Sequence, residues 1–235
     1  MKVTLIDAMG TDLTVANAAR VSFNKESTYN YSEGFPKLEE RDQKLIRYLA
    51  SHNHFTPFTH CMVTMREKVP MFVARQRFKH VIGFTYNEVS RRYVDDKPEF
   101  FEPEQWRKRA ENKKQGSSDE TIDLNDPNVK QDHFFHGVAD QYKPNIYDEV
   151  TSTCMRVYNQ MILRGVCPEQ ARMVLPQSTY TEYYVTGSLY AWARAFNLRS
   201  KADAQKEIQD LAWMWDEIMM DKFPYSWTAL TEEGV

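Results

Sequence analysis

The chain has 235 residues, 42% of them apolar and 27% charged, which is enough to bury a large single core and ordinary for a soluble globular protein. Its formal net charge of −3 offers no general attraction for nucleic acid or an anionic membrane, so any basic function is local. No apolar run approaches the roughly 20 residues that span a bilayer, and the three cysteines, Cys61, Cys154 and Cys167, without a CxxC arrangement, fit a reduced, cytoplasmic protein.

Met1–Leu13 lacks the apolar region of a signal peptide. Lys2–Ala8 alternates as a short strand, and Asp12–Ser22 reads as a helix. Residues 24–36 are polar and turn-rich, a mobile loop by composition. Leu38–Ser51 is a helix with Leu38, Leu45, Tyr48 and Leu49 on one side and Glu39, Glu40 and Asp42 near its start. Cys61–Val69 alternates as a strand, Cys61, Val63 and Met65 opposing Thr64, Arg66 and Lys68, and it leads into a helix ending near His80. Val81–Ser90 holds Gly83, Thr85 and Asn87 and is expected to be turns.

Further on, Asp95–Pro98 suggests a turn and Glu104–Ala110 a short helix. Residues 111–125 are charged and nearly free of apolar groups, an exposed or disordered insertion by composition. Helical pattern then runs from Asp126 to about Arg164, broken near Pro144 and closed by Gly165. Pro168–Leu175 is a short helix, and Ser178–Val185 is rich in β-formers. Ser188 can cap a helix carrying Leu189, Trp192, Ala193 and Phe196, and Ile208, Leu211, Trp215 and Ile218 mark a second. Trp and Met at this spacing belong to a core or a subunit interface. With no internal repeat and no clear boundary, the expected architecture is one α/β (α+β) domain over 1–235. A small mixed or antiparallel sheet is flanked by long helices, and the C-terminal half is helical.

The densest chemistry lies in Met71–Tyr93. Arg75, Arg77, Lys79, Arg91 and Arg92 put five cations, with the carboxylate of Glu88, into eighteen residues beside a loop. That pattern suits a cradle for an anionic ligand such as a phosphate, and it equally suits a solvated basic helix followed by a polar loop. Ser90 has no histidine near it in sequence to act as a base, so a hydrogen bond to a ligand phosphate is its better reading. His52, His54 and His60 have no CxxC, HExxH or adjacent carboxylate set, nor does His133-Phe134-Phe135-His136, so no metal site is assigned. All three cysteines sit in apolar or helical settings and are expected to be buried and structural.

The same stretch resembles the signature of the flavin-dependent thymidylate synthases, in which Arg-His-Arg is followed after seven residues by Ser. Asn87-Glu88-Val89-Ser90-Arg91-Arg92-Tyr93 matches the second half closely. The first half departs, with Lys79-His80-Val81 in place of Arg-His-Arg and one extra residue before Ser90. Three further segments are similar to that family in the same order. These are His52–His60, in which Thr59 replaces an expected acidic residue, Cys167–Pro176 around Arg172, and Thr186–Arg199 followed by Ala204-Gln205-Lys206-Glu207-Ile208.

The resemblance implies a homotetramer with active sites at subunit interfaces, binding FAD and dUMP. It implies that methylenetetrahydrofolate supplies the carbon and NADPH the reducing equivalents. By the same resemblance Arg199 is catalytic, stabilising negative charge on the pyrimidine. Gln76, Lys79, Glu88, Ser90, Arg91, Arg92, Arg172 and Arg199 bind the nucleotide. Ser22, His54, Thr56, Lys79, His80, Glu88, Ser188 and Arg194 contact the flavin, Ser188 and Arg194 standing where asparagines are more typical. From the residues alone, Arg172 and Arg199 also read as helix-end cations meeting a dipole. Two other functions fit the altered signature: a related nucleotide chemistry such as hydroxymethyl transfer, and nucleotide binding without catalysis.

Overall fold

A computed structural model describes residues 1–32, 34–94, 96–110, 117–124, 126 and 145–231. In chain order the elements are β1 (Lys2–Met9), α1 (Asp12–Arg20), α2 (Glu40–Ser51), β2 (Met62–Pro70), α3 (Met71–Arg77), β3 (Phe84–Glu88), β4 (Trp106–Arg107), β5 (Thr121–Ile122), α4 (Ile146–Leu163), α5 (Pro168–Ala171), β6 (Tyr180–Ser188), α6 (Leu189–Arg199), α7 (Lys206–Lys222) and α8 (Pro224–Thr231). They pack as two compact units, one of Met1–Val69, Val73–Glu88 and Glu182–Val235, the other of Pro70–Phe72 and Val89–Thr181. Among the described residues no helix is long and apolar enough to cross a membrane.

The first unit is built on a four-stranded sheet in the order β1-β2-β6-β3. Antiparallel pairing joins β1 to β2 and β3 to β6, while Thr64 meets Thr186 at 2.9 Å and Arg66 pairs with Glu182 at 2.8 Å between β2 and β6. In β2 every second side chain is buried, Val63, Met65 and Val69 among them, as alternation predicts. Glu67 occupies the same inward phase and is fully buried, so the strand carries a carboxylate into the core. Against this sheet and its helices lie the fully buried Trp192, Trp215 and Trp227, the first two with rings 5.5 Å apart.

Three local readings need correction. The expected turn region Val81–Ser90 contains β3, because Gly83 alone makes the turn (φ +80°) and the next residues pair with β6, Phe84 opposite Gly187 and Glu88 opposite Tyr183. A side chain at Gly187 would come within 2.5 Å of the Phe84 ring, so the close approach of the two strands requires glycine there. In the C-terminal region, α8 was not anticipated. Its start is capped by the buried Asp12, which accepts from the amides of Ser226 (2.8 Å) and Tyr225 (3.1 Å), an acceptor more than 200 residues away in sequence. Burial holds the Asp12 carboxyl above its usual pKa.

The second unit supplies the third correction. The segment expected as a helix over Glu104–Ala110 is β4, paired with β5 in register Trp106↔Ile122. Part of the supposed insertion therefore folds back: Lys108 donates its amide to Glu120 at 2.8 Å, and its ammonium meets the Glu120 carboxylate at 2.9 Å. Trp106 meets the Tyr147 ring edge to face with centroids 5.0 Å apart, a tertiary contact, and an isolated helix this short has little stability of its own. Residues 111–116 and 125 of that insertion, like the expected helix start at 127–144 and His133–His136, lie outside the described residues. Asn145 caps α4 through its side chain, accepting from the amides of Tyr147 and Asp148.

Candidate active site

The chemistry of the first unit gathers where α3 ends. Val73, Ala74 and Arg77 share the buried face of α3, so a guanidinium sits in a phase that normally carries a Leu or Val. Arg77 is fully buried, and its Nε lies 3.4 Å from the equally buried Glu67. Its Nη1 donates to the Tyr86 hydroxyl at 2.6 Å, while Nη2 has no hydrogen-bond partner. The guanidinium is instead surrounded by rings, 4.3 Å from the centre of Phe84 and 4.7 Å from Trp192 and Trp215. Glu67 is completed by the Tyr183 hydroxyl, which donates to it at 2.6 Å. Burial pushes the Tyr86 phenol up to about 12, against the opposing pull of Arg77.

Above this buried layer stands His80. The Tyr86 hydroxyl donates to its carbonyl at 2.7 Å, and its Nε2 accepts from Arg199 Nε at 2.9 Å. Arg199, the last residue of α6, also donates from Nη2 to the carbonyl of Gln76 at 3.0 Å. Desolvation, then the charges of Arg199, Arg77 and Arg194, bring His80 down to about 4. The ring is therefore neutral near pH 7 and can accept through Nε2, with its own proton on Nδ1. Two bonds to fixed acceptors set the plane of the Arg199 guanidinium. Among the described residues its Nη1 takes no hydrogen bond, so one edge is left for a ligand. Gln76 is held in turn by its amide, which donates to Gln205 at 2.7 Å.

The residues expected to face a flavin fall in this unit. His54 and Thr56 are exposed at the start of the short 3-10 turn Thr56–His60. Phe55 between them stacks on Tyr190 at 5.3 Å, and the Arg194 guanidinium lies 6.0 Å from that ring, making one continuous strip. Ser188 is buried, and its hydroxyl accepts from the amide of Ala191 at 3.2 Å, capping α6 as its sequence position suggests. Ser22 is exposed in the 3-10 turn Val21–Phe23, next to Arg20, which is paired with the buried Asp42. Lys79 is exposed beyond the end of α3, and Glu88 closes β3.

The remaining expected nucleotide ligands lie in the second unit. Ser90 begins a tight turn in which Tyr93 donates to its carbonyl at 3.0 Å, and its hydroxyl accepts from Arg92 Nε at 3.2 Å. Arg91 donates to the Asp96 carbonyl at 2.9 Å. Arg172 is exposed, with its Nε donating to the carbonyl of Glu169 at 3.2 Å.

Of the three cysteines, Cys61 is buried as expected and the other two depart from expectation. Cys61 is buried and its thiol is pushed up to about 12 by desolvation, which removes it as a thiolate nucleophile. Cys154 is only half-buried and Cys167 is exposed, because α4 and the start of α5 present those positions outward. No group of three or more His, Cys, Asp or Glu side chains among the described residues could hold a metal ion. Sequence reasoning missed Glu67 and Tyr86, and it counted Arg77 among the cations of an anion cradle although that side chain is fully buried. The available signal was a charge standing in a core phase: Glu67 continues the inward series Val63, Met65, and Arg77 continues Val73.

At the end of α6, then, a neutral imidazole holds a guanidinium in one plane, an arrangement chemically suited to meeting negative charge. The profile of the thymidylate synthase complementing protein family matches residues 4–225. The flavin-dependent thymidylate synthase of Thermosipho africanus is 36% identical over 225 residues, spanning 96% of this chain and 88% of that one. An enzyme of the same name from Thermus thermophilus is 35% identical over 230 residues, spanning 98% and 75%. The crystal structure of a UMP/dUMP methylase, PolB from Streptomyces cacaoi, bound with 5-Br dUMP, aligns with a TM-score of 0.75 at 25% identity, covering 97% of this chain and 93% of that one. The chain belongs to the flavin-dependent thymidylate synthase family.

Proposed function

We propose that the protein converts dUMP to dTMP, with FAD bound, methylenetetrahydrofolate as carbon donor and NADPH as reductant. It acts in the cytoplasm as a homotetramer with active sites at subunit interfaces. The observation that carries this reading is Arg199, held by His80 and by the Gln76 carbonyl with one edge left open, in a chain that matches the family over 4–225. A pyrimidine becomes electrophilic at C6 when negative charge at O2 and N3 is stabilised, and a guanidinium fixed beforehand does so without reorganising during the reaction. Arg199 takes this role. Gln76, Lys79, Glu88, Ser90, Arg91, Arg92 and Arg172 hold dUMP, the cations acting on its phosphate.

The strip of exposed His54, Phe55 and Arg194 around the half-buried Tyr190 fits a planar cofactor with a diphosphate, since it offers an aromatic surface, a ring donor and a cation. Ser22, His54, Thr56, Lys79, His80, Glu88, Ser188 and Arg194 line the flavin, Ser188 through the backbone it caps. When bound, the flavin supplies the redox chemistry. The neutral His80 keeps Arg199 oriented. Lys79 acts on a phosphate as a point charge, without the two-pronged contact an arginine makes.

The test is a visible spectrum of the purified protein with FAD, then with dUMP, followed by mass analysis of the nucleotide formed with methylenetetrahydrofolate and NADPH. A flavin band perturbed by dUMP is expected, together with a product heavier by one CH2 as a methyl group replaces hydrogen. A protein that binds neither ligand, or that forms a hydroxymethyl product, overturns the reading. The PolB complex with 5-Br UMP favours one second reading, in which UMP is also a substrate, and the same mass assay with UMP decides it.

A further inference from the structure

Beneath the site lies a buried polar layer that the proposed reaction does not use. Glu67, Arg77 and Tyr183 are each 0–1% exposed, and all converge on Tyr86 or on one another. Burying an ion pair with a 3.4 Å contact and an unpartnered Nη2 is a costly way to fill a core. Among the described residues the layer connects outward through the Tyr86 hydroxyl, which accepts from Arg77 and donates to the carbonyl of His80. The same phenol also reaches the carbonyl of Arg77 at 3.4 Å, so it ties together both ends of the turn that follows α3. From above, Arg199 binds the other side of that turn, at the His80 ring and at the Gln76 carbonyl. Residues 76–80 are therefore held between the Tyr86 hydroxyl, itself fixed by the buried Arg77 guanidinium, on one side and the Arg199 guanidinium on the other.

We infer that Arg77 and Tyr86 are positioning residues. Through the Tyr86 hydroxyl the buried guanidinium fixes the His80 backbone, and the imidazole thus placed sets the plane of Arg199. This rests on the reading that Arg199 serves the nucleotide. It differs from a merely stabilising core in one consequence: loosening the phenol must change the surroundings of the His80 ring. The charged groups facing that ring are Arg199, Arg77 and Arg194, and none is altered by a change at Tyr86. Any change in its titration therefore reports its position and solvation.

Tyr86→Phe removes only the hydroxyl and keeps the ring among Phe78, Phe84 and Tyr183. It is the preferred variant because Arg77 substitutions strand Glu67 and risk unfolding. In histidine-labelled full-length protein followed by NMR, the wild-type His80 ring is expected to titrate near 4. In Tyr86→Phe it is expected to move up toward 6.5, with the fold retained by circular dichroism. In the loaded enzyme kcat is expected to fall about tenfold, with the KM for dUMP changed less than about threefold. A His80 ring that titrates at the same pH in both folded proteins overturns the inference, as does an unchanged kcat. The two readings fail separately: a wild type that makes no dTMP sinks the functional reading, while the titration judges the brace without any ligand.

Discussion

The turn that ends α3 and the stretch Ser90–Arg92 both carry side chains suited to an anionic nucleotide, yet they are held by opposite means. At the turn, the bonds Arg199–His80, Arg199–Gln76 and Gln76–Gln205 join residues 119, 123 and 129 positions apart. Around Ser90, the bonds Arg92–Ser90 and Arg91–Asp96 span two and five positions, and at Arg172 the bond to Glu169 spans three. Long-range bonds form only when the core has already closed the loops between their ends, so the α3 turn inherits the rigidity of the sheet. Local bonds are satisfied by the segment itself and cost little to rearrange around a phosphate. The first region suits stabilising charge on a reacting ring, where a small misplacement is expensive. The second suits gripping a group that does not react.

The largest way to break this contrast is Arg77→Met. It leaves the Glu67 carboxylate buried without its cation, and unfolding in urea is expected to show a loss of about 3–5 kcal/mol. Adding Glu67→Gln should recover part of it, since the two substitutions touch one network. Arg199→Ala tests the upper half of the clamp. Methylation of dUMP is expected to fall about 100- to 1000-fold, with only a small change in urea midpoint. A loss of stability as large as that of Arg77→Met would show that Arg199 is structural.

Acid should separate the regions more gently. His80 is depressed in the folded state relative to its usual value, so its stabilising contribution is fully present above about pH 6.5 and is lost as pH falls through about 4. Allowing for the ring's partial exposure, about 1–2 kcal/mol of stability is expected to disappear across that range and to be absent from the same comparison in His80→Gln. The smallest effects on folding belong to the exposed cations. Lys79→Ala and Arg92→Ala are expected to melt within about 2 °C of the wild type while weakening binding of dUMP or flavin several-fold in titrations. Unchanged binding of both ligands in both variants would remove these residues from the site.

Much of this architecture was legible residue by residue. The alternation in β2 and the cap at Ser188 placed their elements almost to the residue. His80, Arg199 and Gln76 were named from a motif, and the structure brings these three together. Less legible were the elements whose partners are remote. Phe84–Glu88 looks like a turn until Gly187 lets β6 approach, Trp106–Arg107 looks helical until residues 121–122 fold back, and α8 has its cap in Asp12. Each depends on a contact that no window of local sequence contains.

By itself, then, the sequence determined the family and the order of most elements. The elements follow from periodicity and capping chemistry and the family from the resemblance of several short segments, all of which are read over a few residues at a time. Only the tertiary structure decided that Arg77 turns inward while Lys79, two positions on, faces solvent, and that His80 is neutral beside three arginines. Burial and the charges converging from α3 and α6 set the protonation of a group and the direction of a cation. Those quantities exist only once the chain has closed around them.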